Sequence, residues 1–277
     1  MKTTILLDAD VPAYQFAARG QKEIDWEGDG EYDKIAPPKD WAVDNMLQYV
    51  NDLKSDLEAD RVILCFSDAD RANNWRLDQL PTYKHTRDAS TRPVLHDYME
   101  TALDEHFESY RKDRLEGDDV LGILATNNKV IKGRKIIVTI DKDLRTIPRR
   151  KQKGSDNLLY HIPKFGTPKL ESISEAKADW YWMYQTLIGD TTDGYKGCKG
   201  IGSVKARAAL GEIEDAGEDT LLPLWWKLVV ELYESKGFSI EDAIPQAQVA
   251  RIARAEDYDH KRQRVIPWTP ERQWPTK

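Results

Sequence analysis

The stretch TTILLDADVPAYQFAA, Thr3 to Ala18, sets the fold class. Its run Thr4 to Leu7 reads as a buried strand ending in acids, and Pro12 suits the first turn of a following helix. Further along, Trp41, Met46, Leu47, Val50, Leu53 and Leu57 recur at helical spacing, and RVILCF (Arg61 to Phe66) is a second buried strand running into Ser67-Asp68. Strand, helix, strand predicts a parallel sheet, because parallel neighbours need a crossover between them. A helix from Val94 to Arg111, another over LEGDDVLGILATNN (Leu115 to Asn128) and a third strand, KIIVTID (Lys135 to Asp141), extend the pattern. Three strands thus end in aspartates, and open α/β sheets bind ligands beyond the carboxyl ends of their strands. These acids are expected to meet on one edge. Gln21 to Asp40, with GDG and APP, reads as a loop.

The second half has a different character. Asn157 to Ser172 reads as a short hairpin and linker, and Ser172-x-x-Glu175 as a capping signature that opens the helix EAKADWYWMYQTLIGD. A short helix is expected over Ser203 to Leu210, and EDTLLPLWWKLVVELYESKG and SIEDAIPQAQVARIARAEDY close a helical back half. Trp180, Trp182, Trp225 and Trp226 are read as core rather than as a base-stacking platform. Composition divides the chain near residue 165 into an α/β front (1–165) and a helical back (166–277).

The chain has 277 residues, 40% hydrophobic and 32% charged, with a formal net charge of −7. No stretch approaches the roughly 20 apolar residues of a membrane helix, and TTILL meets Asp8 too soon to be a signal-peptide core. A cytoplasmic protein without a membrane partner is the expectation. Cys65 and Cys198 form neither a disulfide framework nor a CxxC knuckle, and the five histidines are scattered. Any metal should therefore sit on oxygen. The negative total argues against a phosphate-rich partner, yet charge is segregated: Lys129 to Lys153 and Arg71 to Arg92 are basic, while acids gather in EIDWEGDGEYD.

The candidate acids are Asp8, Asp68, Glu116, Asp118, Asp119, Asp141, Asp143, Asp190 and Asp193. Each alone could be a helix cap or a turn residue. Together at one sheet edge they would repel unless cations neutralise them, and all-oxygen ligation selects Mg²⁺ or Mn²⁺. Two such ions roughly 3.5–4 Å apart clamp the attacking and leaving oxygens of a phosphoryl displacement, which is nuclease chemistry. The turn LIGDTTDGYKGCKGIGSVKA, Leu187 to Ala206, adds a phosphate site. Gly197-x₄-Gly202 begins like a Walker A loop, but Ser203 and Val204 stand where Lys and Ser/Thr are required. Glycine amides before a helix remain, and they suit a nucleic-acid backbone phosphate.

LEGDDVLG, TIDKDLRTIP, ADWYWMYQTLIGDTTDGYKGCKGIGS and EDAIPQAQVARIARAEDY resemble the 5′→3′ exonucleases of T-odd bacteriophages, within the flap-endonuclease superfamily. The resemblance runs from Asp8 almost to Lys277. It implies a PIN-like α/β nuclease domain with a mainly parallel sheet, followed by a helical domain carrying a helix–three-turn–helix. It assigns Asp8, Asp68, Glu116 and Asp118 to one Mg²⁺, and Asp141, Asp143, Asp193 and Asp190 to a second, with Asp119 nearby and Mn²⁺ able to substitute. Lys84 and Arg87 match the basic pair over the scissile phosphate, where they would stabilise developing charge. Tyr14 matches an aromatic that stacks on the terminal base, alongside a reading as core. Gly200, Gly202, Ser203 and Lys205 would hold a downstream phosphate, with K⁺ bridging. The implied substrate is double-stranded DNA with a 5′ end or flap, or an RNA–DNA hybrid, cut by a monomer in the host cytoplasm. The competing readings are a non-catalytic DNA-binding protein of the same fold, and a PIN-type ribonuclease.

Overall fold

The computed structural model describes residues 1–86, 91–152, 154–211 and 221–274. Its centre is a six-stranded sheet built from β1 (Thr3–Asp8), β4 (Arg61–Phe66), β5 (Glu108–Arg111), β6 (Gly133–Thr139), β7 (Ser155–His161) and β8 (Lys169–Glu171). The order is β5-β4-β1-β6-β7-β8, and all neighbours are parallel except β7 and β8. The expected parallel sheet is therefore present, with β1 central.

The pleat sends alternate side chains to opposite faces, and both faces are covered. Ile5, Leu7, Val62, Leu64, Ile136 and Val138 pack on one face against α1 (Asp10–Ala18), α2 (Lys39–Asp56) and α3 (His96–His106). Leu6, Ile63, Cys65, Ile137 and Leu159 pack on the other against α4 (Gly117–Thr126). Ile252, Ala253 and Tyr258 join that second cluster from the far end of the sequence. A third cluster gathers α5 (Glu175–Ile188), α6 (Ser203–Leu210), α7 (Leu222–Glu234) and α8 (Ile240–Ala250) around Trp182, Trp225 and Trp226, as the core reading required. Trp180 is half-buried, stacked on Tyr184 at 5.3 Å.

Several local expectations change. The span 21–40 holds a hairpin, β2 (Lys22–Ile24) with β3 (Asp33–Ile35), and α2 already starts at Lys39. The helix expected to reach Arg111 stops at Phe107, and Glu108–Arg111 becomes β5 because it finds an open strand edge on β4. The cap of α5 is Ser174 rather than Ser172, its hydroxyl accepting from the Lys177 amide at 3.2 Å, while the helix starts at Glu175 as expected. Residue 165 lies between β7 and β8, so the sheet continues to Glu171. The final expected helix ends at Ala250, and a two-residue ladder, β9 (Tyr258–Asp259) with β10 (Arg264–Val265), follows before α9 (Pro270–Gln273). Among the described residues no helix is long and apolar enough to cross a membrane.

Candidate active site

The carboxyl ends of β1, β4 and β6 open into a cleft of about 970 Å³. Asp8 ends β1, Asp68 lies two residues beyond β4, and Asp141 lies two beyond β6, where it caps a 3₁₀ turn. The N-terminus of α4 supplies Glu116 as its cap and Asp118 in its first turn. These five acids, with Tyr14 and Lys84, line one wall system, so the expected meeting of strand-end carboxylates is present.

The electrostatics are those of crowded, dehydrated like charges. Burial, then Asp10 and Asp141, push Asp8 up to about 8. Burial, then Asp8 and Asp141, push Asp118 well above the ordinary carboxylate range. Asp141 is raised by burial with Asp193 adding, and Asp143 is raised to about 7 by burial and Asp141. One oxygen of Asp118 and one of Asp10 are buried without a hydrogen-bond partner. Buried acceptors are normally satisfied, so these two oxygens face a position that a cation or water should fill. All-oxygen donors and net negative charge fit a hard divalent cation. Among the described residues no three His, Cys, Asp or Glu side chains already stand at metal-ligand spacing.

Glu116 behaves differently. Burial would raise it, but Lys84 and Arg76 outweigh burial and hold it down at about 2. Lys84 Nζ sits 2.5 Å from Glu116 Oε1 and 3.7 Å from Asp193, and the Tyr83 hydroxyl donates to Glu116 at 2.9 Å and to Asp193 at 3.3 Å. Lys84 is thus an internal cation among the carboxylates, held with φ 52° and its amide bonded to the Asp193 carbonyl at 2.8 Å.

The remaining candidates are placed less uniformly. Asp68 accepts from the Asp70 amide at 3.0 Å and the Arg114 amide at 2.6 Å. Asp143 accepts from Gln185 of α5 at 2.5 Å, and Asp190 accepts from the amides of Thr192 and Asp193. Asp143, Asp190 and Asp193 lie beside the cleft rather than in its lining. Asp119 is separated from it: fully buried, it takes Arg76 at 2.6 and 2.8 Å, Trp75 Nε1 at 2.8 Å and the Ala253 amide at 3.0 Å. No oxygen of Asp119 is left for a metal in that arrangement. Tyr14 is 47% exposed on the cleft, edge-on to His96 at 6.2 Å, and so is not core. Arg87 lies outside the described residues.

The glycine turn joins α5 to α6. Gly189 and Gly197 are needed for the fold, since a Cβ on either would come within 2.4 Å of backbone in the other strand of the turn. Gly202, the cap of α6, has φ −92° and nothing within 4 Å of a built Cβ. Glycine suits this cap position, and the space beside it is open, so a group approaching the start of α6 would meet no Cβ. Gly200 is equally open, Ser203 is exposed, and Lys205 Nζ donates to the Gly200 carbonyl at 3.1 Å.

Several neighbours escaped sequence reasoning. Asp10 accepts from the Ser67 hydroxyl at 2.5 Å and pairs with Arg71 at 3.5 Å; the Asp-x-Asp spacing at the end of β1 could have flagged it. Tyr83, Arg76 and Gln185 carry no sequence signal, because their importance comes from tertiary contacts.

The comparisons agree with this geometry. The family model described as 5′-3′ exonuclease, N-terminal resolvase-like domain, matches residues 37–160. The exonuclease of Escherichia phage T7 is 30% identical over 236 residues, covering 76% of this chain and 74% of that protein. The exodeoxyribonuclease of Enterobacteria phage T3 is 28% identical over 297 residues, covering 97% and 93%. In fold, the chain is similar to the T5 D15 protein co-crystallised with metal ions, with a TM-score of 0.59 and 13% identity over 91% of this chain and 90% of that one. It is also similar to the T5 D15 flap endonuclease in a pseudo-enzyme-product complex with DNA and metal ions, with a TM-score of 0.52 and 14% identity over 90% and 93%. The strand-end acids, the glycine turn and these matches lead to one assignment: the chain belongs to the phage 5′-3′ exonuclease family.

Proposed function

We propose that the protein hydrolyses DNA phosphodiester bonds from a 5′ end or at a 5′ flap, in a divalent-metal-dependent reaction. The observation that carries this reading is the set of buried strand-end carboxylates with raised pKa values and an unpartnered Asp118 oxygen. Asp8, Asp68, Glu116 and Asp118 would hold one Mg²⁺, and Asp141, Asp143, Asp190 and Asp193 a second; Mn²⁺ can take either place. Bound there, the ions supply charge neutralisation, Lewis acidity and activation of the attacking water. Lys84 lies in the same cleft with an ammonium able to exchange a carboxylate for a phosphate, which suits stabilisation of charge developing on the scissile group. The same role is proposed for Arg87. The half-exposed ring of Tyr14 suits stacking on the terminal base.

Gly200, Gly202, Ser203 and Lys205 would hold a backbone phosphate downstream of the cut, with K⁺ between amide dipoles and phosphate. On this reading residues 1–165 carry most of the metal-holding acids, residues 166–277 add Asp190 and Asp193 and hold the duplex, and one chain suffices. Asp119 supports α4 rather than binding metal. RNA within RNA–DNA hybrids is a further proposed substrate, and the host cytoplasm the place of action.

The test is degradation of 5′-labelled and 3′-labelled duplex, flapped and hybrid substrates with Mg²⁺ or EDTA. Mg²⁺-dependent early release of the 5′ label as short products is expected. Release of the 3′ label first, or cleavage that persists in EDTA, contradicts the proposal.

A further inference from the structure

Arg76 is the only guanidinium among the described residues that touches a cleft carboxylate and the helical half at once. It belongs to a 3₁₀ turn, Trp75–Asp78, and is 2% exposed. An arginine has five N–H donors, and here every one is used. Nη1 donates to Glu116 Oε2 at 3.0 Å and to Asp119 at 2.6 Å; Nη2 donates to Asp119 at 2.8 Å and to the Arg251 carbonyl at 2.9 Å; Nε donates to the Val249 carbonyl at 3.0 Å. Trp75 and Tyr83 stack on the guanidinium at 4.6 and 5.6 Å. Val249 and Arg251 lie at the C-terminal end of α8, where helix carbonyls have no partner of their own. One turn earlier on α8, the Gln246 side chain accepts from the Gly197 amide at 2.9 Å, inside the glycine turn.

We infer that Arg76 is a positioning residue: it fixes the Glu116 carboxylate and, through α8, sets the spacing between the carboxylate cleft and the glycine turn. The inference rests on the proposed role of Glu116 as a metal ligand. Lys84 and Arg76 hold different oxygens of Glu116, and they are not equivalent. Lys84 lines the cleft with its side chain 18% exposed, where an incoming cation would compete with it for Glu116. Arg76 is locked by its four other hydrogen bonds, so Oε2 stays pinned and Oε1 is the oxygen turned toward a cation when Lys84 moves. Pinning one oxygen of a ligand orients the other, which is how residues behind a metal site raise affinity. Because the same guanidinium grips α8, the phosphate held by the glycine turn is registered against the metal-holding acids.

The experiment compares wild type, Arg76→Lys, Glu116→Gln and Arg254→Lys by Mn²⁺ calorimetry without DNA, and by single-turnover mapping of the cut site on a 5′-flap substrate. Arg254 is the control: equally buried, it binds Glu175, Asp179 and the Thr146 carbonyl but does not touch Glu116. Arg76→Lys keeps the charge and loses the fork. It is expected to weaken Mn²⁺ binding roughly 10–100-fold and to spread cleavage over neighbouring bonds. Arg254→Lys is expected to lower the Tm alone. If Arg76→Lys does not fold, Arg76→Met with Asp119→Asn removes the buried pair together, and the same two readouts apply. Mn²⁺ affinity within two-fold of wild type and an unchanged cut site in a folded Arg76 variant would overturn the inference. If Glu116→Gln also leaves Mn²⁺ binding intact, the metal-ligand reading of Glu116 fails instead.

Discussion

Asp118 and Asp119 are adjacent in the first turn of α4, yet they belong to opposite kinds of electrostatic neighbourhood. Asp118 faces Asp8 and Asp141, with one oxygen unpartnered. Asp119 faces Arg76, Trp75 and the Ala253 amide, and behind it lies a web in which Arg251 pairs with Asp257 at 2.9 Å and Arg254 with Asp179 at 2.9 Å. Burial is the same problem in both regions, and the solutions differ. The web is neutralised by the chain's own arginines and joins the two ends of the sequence. The cleft leaves Asp118 among like charges with an unpartnered oxygen, which is where the proposed divalent cation would bind. On the proposed function, neighbouring residues thus divide stability from metal binding.

The contrast can be broken most severely from the cleft side. Asp118→Asn and Asp141→Asn should each reduce cleavage by more than the roughly 10–100-fold typical for residues behind a metal site, while the metal-free protein unfolds at the same or a higher temperature. A gel assay at saturating Mg²⁺ with parallel calorimetry reads both quantities. Near-wild-type turnover in either variant removes that residue from the site.

From the web side the expected loss is stability. Asp119→Ala strands the Arg76 guanidinium and should cost about 3–5 kcal/mol, as removal of one partner from a buried pair does. Urea denaturation measures it, and a loss under 1 kcal/mol would show that the web does not support α4.

The two regions should also answer pH with opposite sign. Asp8 at about 8 and Asp143 at about 7 lie above the ordinary 3.8. Their contribution to stability is full below about pH 4 and is lost as pH rises through 7 to 8. Asp257, held below its ordinary value against burial by Arg251 and Arg254, contributes above its unfolded pKa and loses that contribution on acidification. Asp118 is raised in the same way, by burial and then Asp8, and the asparagine removes that group, so metal-free wild type should lose several degrees of Tm relative to Asp118→Asn between pH 5 and 8, at about 2–4 °C per kcal/mol. Mg²⁺ should restore the difference at pH 8 more than at pH 5. Parallel Tm profiles for the two proteins would count against the crowded-acid account.

The smallest effect is expected at the glycine turn. Gly202→Asp places a carboxylate where a phosphate should approach, and should weaken duplex binding several-fold with little change in Tm. Fluorescence anisotropy in EDTA checks it, and unchanged affinity argues that the turn is not a DNA contact.

Much of this layout was legible in the sequence because the signals were local. Apolar runs in β1, β4 and β6 are continuous, as strands buried on both faces must be, and the acids follow them directly. What stayed hidden depended on partners distant in the chain. ESYR has no strand signal until β4 offers an edge, so it reads as the tail of α3. LEGDD shows two equivalent acids, and only Arg76, more than 40 residues earlier, with the Ala253 amide 134 residues later, decides that Asp119 is structural. The hairpin at 22–35 lies in an acidic, glycine-containing stretch whose composition is that of a loop.

The most direct test of the central claim is Mn²⁺ calorimetry at pH 8 on wild type, Asp118→Asn and Asp257→Asn, without DNA. Wild type is expected to bind the ion, Asp118→Asn to lose most of that binding, and Asp257→Asn to keep it despite a lower Tm. Equal binding by wild type and Asp118→Asn, or loss of binding only in Asp257→Asn, would contradict the claim.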